Sequence, residues 1–169
     1  MPDYMARALE GLPLANLAFP QLGMAPGVDP ATYALRELAL ATYGNHDNAP
    51  LATHYMHLLQ QSRNDPHGKE AAQLDWLLGF AQWNSPAPET LMDELLAALQ
   101  KALFESPSRL AVLMCSDLLG LPLRFNLPGR YGIETWCERL PMSFSDLLAH
   151  PSFAKHIEKV ADIIAASGR

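Results

Sequence analysis

Residues 109–115 read Arg109-Leu110-Ala111-Val112-Leu113-Met114-Cys115, and this stretch decides the fold class. All residues from Leu110 to Met114 are apolar, which is typical of a parallel strand that is buried on both faces. A second apolar run, Leu38-Ala39-Leu40-Ala41-Thr42-Tyr43, ends at Gly44. Because helical patterns fill the sequence between the two runs, the sequence predicts an α/β fold with two short parallel strands and a majority of helices.

The second run leaves an alternative open. Residues 31–40 follow Asp29-Pro30, a good helix start, and have a helix-forming composition, and periodicity alone does not separate a short buried strand from a helix. Two strands do not make a stable sheet by themselves. The sequence therefore describes either part of a larger α/β sheet or a helical domain.

Capping residues and prolines predict where the helices begin. Asn48 is the expected cap of the first helix after the 38–43 run, and Ser143 with Asp146 resembles a capping box. Residues 12–30 are rich in proline and glycine and are expected to form a loop. A loop of about 27 residues follows the 109–115 strand, a length that usually serves a function. The predicted helices span residues 3–10, about 48–61, 65–83, 88–105, 143–149 and 151 to the end.

Composition excludes several classes of function. The chain has 169 residues, the size of about one domain of ~150 residues, and 49% of them are hydrophobic. The net charge of −6 argues against binding to nucleic acid or to an anionic membrane. Cys115 and Cys137 are expected to be free and buried, as in a reducing compartment. No apolar run reaches the ~18 residues of a membrane span, and Met1-Pro2-Asp3-Tyr4 lacks the features of a signal peptide, so a cytoplasmic protein is expected.

Polar residues follow both strand candidates. His46-Asp47 comes after the first strand, Asp117 after the second, and Asn126 lies in the long loop. The carboxyl ends of parallel strands lie at one face, where barrel enzymes carry their active sites. An Asp there can accept hydrogen bonds from adjacent sugar hydroxyls while a neighbouring His donates to a third. A His-Asp pair beside a helix start is also typical of a cap with a solvated neighbour.

Other candidate residues have a simpler structural interpretation. His54 and His57 share a helix face, but no carboxylate or cysteine completes a metal-ligand spacing, so no metal is expected. Trp76, Phe80 and Trp83 could stack on sugars, although their helical spacing favours the core. Asp93-Glu94 and Lys155-His156 are expected on solvated helix faces. In the last helix, the residues expected to face inward are Phe153, Ile157, Val160 and Ile164.

Several segments, taken in order, resemble one known family. Residues 43–48, Tyr-Gly-Asn-His-Asp-Asn, resemble the GTHDN stretch of the amylomaltases, which are 4-alpha-glucanotransferases or disproportionating enzymes. Residues 116–120, Ser-Asp-Leu-Leu-Gly, are similar to the family's QDLLGL. Residues 126–129, Asn-Leu-Pro-Gly, with Trp136 and Arg139, resemble the family's N-x-P-G … N-W-x-x-R ending.

The resemblance extends to both ends of the chain, with four departures. Pro2-Asp3-Tyr4 resembles the segment that follows the family's EDLG, and Leu140-Pro141 with the closing helices follows its C-terminus. The departures are Asn45 for Thr, Ala49-Pro50 for Asp-Thr, Arg130 for Thr and Thr135 for Asn.

The resemblance implies a fold, an activity and roles for named residues. Residues 1–169 would be a single partial domain, the C-terminal third of a (β/α)8 TIM-type barrel. The family transfers α-1,4-glucan segments between maltodextrins by retaining glycosyl transfer, without a cofactor. Asp47 would be the catalytic residue that stabilises the transition state. The sugar-binding residues would be His46, Asn48, Asp117 and Asn126.

The resemblance also implies a missing part. Retaining transfer needs a nucleophile and an acid/base carboxylate, and in the family both precede the region matched here. We therefore expect the chain to be inactive alone, with α-1,4-glucan and the N-terminal part of the same enzyme as partners and neither nucleic acid nor membrane. The alternative is a noncatalytic helical domain, derived from the barrel, that binds carbohydrate or another protein.

Overall fold

The computed structural model describes residues 12, 14–91, 93–133 and 135–169. The predicted helix over residues 3–10 and the Pro2-Asp3-Tyr4 resemblance lie outside these residues. In chain order the elements are β1 (Asn16–Ala18), β2 (Ala39–Ala41), α1 (Leu51–Asn64), α2 (Lys69–Phe80), α3 (Asp93–Phe104), β3 (Leu110–Ala111), α4 (Cys115–Leu119), α5 (Phe144–Ala149) and α6 (Pro151–Ala166), with 3₁₀ turns at Pro20–Leu22 and Pro30–Thr32.

The three strands form one parallel sheet in the order β1-β2-β3. The α/β class and the two predicted strands are confirmed, and the helical alternative for residues 31–40 is wrong. The loop prediction for residues 12–30 misses β1, because three residues between prolines are too few to show a period. β1 is extended because it pairs with β2. Thr42 N continues this pairing beyond β2 by donating to Ala18 O at 3.0 Å.

The predicted burial of both faces of the 109–115 strand is wrong. Leu110 and Val112 are 59% and 47% exposed. The regular strand ends at Ala111, Val112 N still donates to Ala41 O at 2.9 Å, and Cys115 already begins α4. Within the described part of the chain, no strand pairs with the outer edge of β1 or of β3.

The core lies between the sheet and the helices α1, α2 and α3. Leucines at every fourth position of α3 form a buried stripe, with Leu95, Leu99 and Leu103 all 0% exposed. Trp76 and Phe80 are also buried, and both rings contact Tyr33 edge to face. Their core interpretation is therefore confirmed. The buried core residues include Ala41, Tyr43, Leu51, Tyr55, Leu58, Leu74, Leu77 and Leu96.

The helix starts are partly as predicted. Ser143 caps α5 by accepting a hydrogen bond from Asp146 N at 3.1 Å, and Pro151 opens α6. Asn48 does not cap α1, since its Oδ1 instead accepts from Asn45 N at 3.2 Å. α2 begins at Lys69, because Asp65 closes a turn before it by accepting from Gly68 N.

The C-terminal helix α6 buries a residue that was expected in solvent. His156 is 6% exposed because it lies one turn before the buried Val160 and shares its face. Burial lowers the pKa of His156. Asp93 and Glu94 are exposed at the start of α3 as predicted.

Candidate functional site

The loop between β2 and α1 presents His46 and Asp47 to solvent at the carboxyl end of β2. Asp47 N donates to Asn45 Oδ1 at 2.9 Å, which closes a local turn. The His46 and Asp47 side chains are 49% and 53% exposed, and His46 Nε2 lies 3.5 Å from Asp47 Oδ2. Asn48 is also exposed, three residues before α1. The loop therefore offers a carboxylate and an imidazole side by side.

The long loop that follows α4 closes onto this carboxylate. Asn126 Nδ2 donates to Asp47 Oδ1 at 2.8 Å. Arg124 joins the two loops a second time, because Nη2 donates to Asp47 O at 2.9 Å and Nε donates to Asn126 O at 3.0 Å. Thr135 Oγ1 donates to Asn126 Oδ1 at 2.8 Å, which orients the amide so that its NH₂ faces Asp47. Asp47, Asn126, Arg124 and Thr135 thus form one continuous hydrogen-bond network.

An aromatic ring lies at the edge of this network. The ring centroids of Trp136 and His46 are 5.2 Å apart, with their planes inclined by 43°. The turn that carries the loop outward has Gly129 at φ +76°, and Arg130 N donates to Leu127 O at 3.0 Å. Glycine suits that position because a side chain there is sterically strained.

Asp117 lies below the site and caps a helix. It is 1% exposed, and its Oδ1 accepts a hydrogen bond from Leu51 N at 2.7 Å. The carboxylate thereby satisfies the first amide of α1, the role that the sequence suggested for Asn48. Gln100 Nε2 donates to the carbonyls of Asp117 and Leu118, both at 3.0 Å, and so holds α4 against α3. Asp117 therefore follows β3 with its side chain buried against α1, whereas Asp47 is exposed.

A sequence model of the 4-alpha-glucanotransferase family, glycoside hydrolase family 77, matches residues 5–144. The chain belongs to this family. No curated protein matches the chain by sequence. Among solved structures, the chain is similar to the amylomaltase from Streptococcus agalactiae in complex with acarbose, with a TM-score of 0.63 at 18% identity over 100% of this chain. It is also similar to the amylomaltase from Corynebacterium glutamicum, with a TM-score of 0.61 at 22% identity over 97% of this chain.

The chain is shorter than these relatives. It spans 30% of the Streptococcus amylomaltase and 27% of the Corynebacterium amylomaltase. At these identities the likeness shows a common fold. Three parallel strands with a majority of helices are thus the part of the amylomaltase-like fold that this chain forms.

Two members of the network in this chain of the 4-alpha-glucanotransferase family, Arg124 and Thr135, have no sequence pattern that indicates their contacts. Arg124 stands two residues before the Asn126 motif, and Thr135 was noted as a departure from the family pattern. Neither belongs to a spacing that predicts a contact with Asp47. Thr135 has a hydrogen-bonding side chain, and its Oγ1 links this part of the loop to Asn126.

Among the described residues, no group of three or more His, Cys, Asp or Glu side chains could hold a metal ion. Partial burial, with a contribution from His57, lowers the pKa of His54.

Cys115 and Cys137 are free, as predicted, but both are exposed, so the prediction of buried thiols is wrong. Cys137 adjoins the hydrogen-bond network, because its Sγ donates to Thr135 O at 3.3 Å. No described helix has the length and apolar character required to cross a membrane.

Replacement of Asp117 by Asn should stabilise the chain in a pH-dependent way. Burial raises the pKa of Asp117 from 3.8 to about 6, against the opposing effect of the Leu51 N–H. Between these pH values the folded state holds a proton that the unfolded state has lost. Stability therefore falls by about 3 kcal/mol as pH rises from about 4 to above 6. Asn keeps an oxygen for Leu51 N and carries no charge.

Chemical denaturation at two pH values checks this prediction. D117N should exceed the wild-type free energy of unfolding by up to about 3 kcal/mol at pH 8 and match it near pH 4. The exposed Asp75 of α2 offers a matched control, since D75N should not produce such a difference. An equal effect of D117N at both pH values would contradict the raised pKa of the buried Asp117 carboxyl.

Proposed function

We propose that this chain forms the sugar-binding part of a 4-alpha-glucanotransferase active site. The enzyme transfers α-1,4-glucan segments between maltodextrins with retention of configuration. The single observation that supports this proposal is the exposed network of Asp47 and Asn126, with His46 beside it, at the carboxyl end of β2 in a chain of this family.

The residues of the network have complementary roles in binding a glucan. The Asp47 carboxylate accepts hydrogen bonds from sugar hydroxyls, and a charged acceptor makes these bonds short and strong. His46, the exposed Asn48 and the partly buried Asn126 add donors and acceptors around it. Asp117 contributes from below, because its bond to Leu51 N holds the end of the loop that carries Asp47. Asp47 would stabilise the transition state, in which the sugar is distorted.

The proposal places residues 1–169 as one partial domain, the C-terminal third of a (β/α)8 barrel. Support comes from the parallel order of the three strands and from the fraction of each amylomaltase that the chain spans. Among the described residues, the outer edges of β1 and β3 pair with no further strand, and Leu17 and Leu110 on these strands are exposed. The partner would be the N-terminal part of the same enzyme, which would bring the nucleophile and the acid/base carboxylate.

The two free thiols are compatible with a reducing compartment, and we propose a cytoplasmic location on that basis. No cofactor is required, because retaining transfer proceeds through carboxylates. The substrate class is α-1,4-glucan or maltooligosaccharide, and acarbose, the ligand of the Streptococcus amylomaltase, is a suitable second probe.

Titration of the 169-residue chain with maltoheptaose tests the proposal. We expect saturable binding by calorimetry and competition by acarbose. N126A should weaken binding by about tenfold, because Asp47 loses the amide that orients it. The exposed Asn64 at the end of α1 offers a matched control, and N64A should bind like wild type. An absence of binding, or equal affinity in N126A and wild type, would contradict the proposal.

A further inference from the structure

Trp136 differs from the other two tryptophans of the chain. Trp76 is 4% exposed in the core, and Trp83 packs against the core, whereas Trp136 is 58% exposed. Removing a large aromatic ring from water lowers the free energy. A ligand that covers the exposed indole beside the polar network therefore gains favourable binding free energy.

The backbone holds Trp136 in an unfavourable conformation. Its φ is +62°, a left-handed value that bulky residues rarely adopt. Trp136 N donates to Phe125 O at 2.6 Å, and the preceding Thr135 is bonded to Asn126 and Leu127. The network that reaches Asp47 therefore also holds the backbone that carries Trp136.

The polar and apolar groups lie side by side. Trp136 contacts the His46 ring, and His46 adjoins the Asp47 carboxylate, which Asn126 orients. A glucose ring has the same division of chemistry, with hydroxyls around its rim and C–H groups on its two faces. The C–H face carries a weak positive charge and packs on the negative face of an aromatic ring.

We propose that Trp136 stacks on a glucose unit of the bound glucan, and that the hydroxyls of this unit bind Asp47 and Asn126. This inference rests on the proposed function and adds a residue to it. The sugar-stacking role that the sequence suggested for Trp76, Phe80 and Trp83 would belong instead to Trp136, since those three lie in or against the core.

Trp136 variants and intrinsic fluorescence test the inference in the maltoheptaose titration. Wild type should show a change of tryptophan emission on binding, and W83F should retain it. W136F should still bind, without that change. W136A should weaken binding by about fivefold to tenfold, from the loss of the stacking surface.

W136G separates stacking from loop conformation. Glycine adopts φ +62° without strain but has no ring, so W136G should lose as much affinity as W136A. Wild-type affinity in W136A, or in W136G, would overturn the inference; if N126A is still weakened, the proposed function stands. Binding by wild type without an emission change would also overturn the inference. No binding by wild type would overturn both.

Discussion

Asp47→Asn should lower kcat by about 10²–10³-fold in a protein that contains this segment together with the two reacting carboxylates, by analogy with the loss of one preorganised group. KM should change far less. Retaining transfer passes through an oxocarbenium-like, distorted sugar whose hydroxyl hydrogen bonds strengthen in the transition state. Asn keeps the shape of Asp47 but loses the charge and one acceptor oxygen, so it weakens mainly those bonds.

Steady-state rates on one short maltodextrin measure this effect. An interaction that is made mainly in the transition state lowers kcat and kcat/KM together. D75N removes a carboxylate from the exposed face of α2 and serves as the charge-matched control, with unchanged kcat. If D47N keeps its kcat and only KM rises, Asp47 is an ordinary binding residue.

The isolated 169-residue chain should not disproportionate maltotriose. Retaining transfer needs a nucleophile and an acid/base about 5 Å apart, and Asp47 is proposed here as neither. Asp47 Oδ1 accepts a hydrogen bond from Asn126, and Asp47 Oδ2 lies 3.5 Å from His46. This arrangement suits the binding of sugar hydroxyls. The chain should therefore bind maltooligosaccharide without turning it over.

Chromatography of the sugar products over long incubation measures this prediction. An amylomaltase assayed in parallel supplies the positive control, and the purified D47N chain sets the background from host enzymes. Turnover above that background would show that this chain supplies its own nucleophile. The assignment of catalysis to a preceding segment would then be wrong.

Hydrophobic periodicity, capping residues and prolines predict much of the fold. The leucine stripe of α3, the Ser143 cap and the Pro151 helix start could be read directly, because each depends on neighbours within about one or two helical turns. The strand β1 could not be read from the sequence. Asn16–Ala18 has no pattern of its own, and its conformation depends on the edge that β2 offers from 23 residues away.

The sequence by itself determined the family and the α/β class, and it marked His46, Asp47 and Asn126 as candidate site residues, because the patterns that indicate them are local. Only the tertiary structure decided which of the candidates meet. Asn126 reaches Asp47 across 79 positions, and Asp117 reaches Leu51 across 66, where it replaces Asn48 as the cap of α1. Such contacts depend on how two distant loops pack at one end of the sheet. Local spacing contains no information about that packing, which is why Arg124, Thr135 and the exposure of Trp136 emerged only in three dimensions.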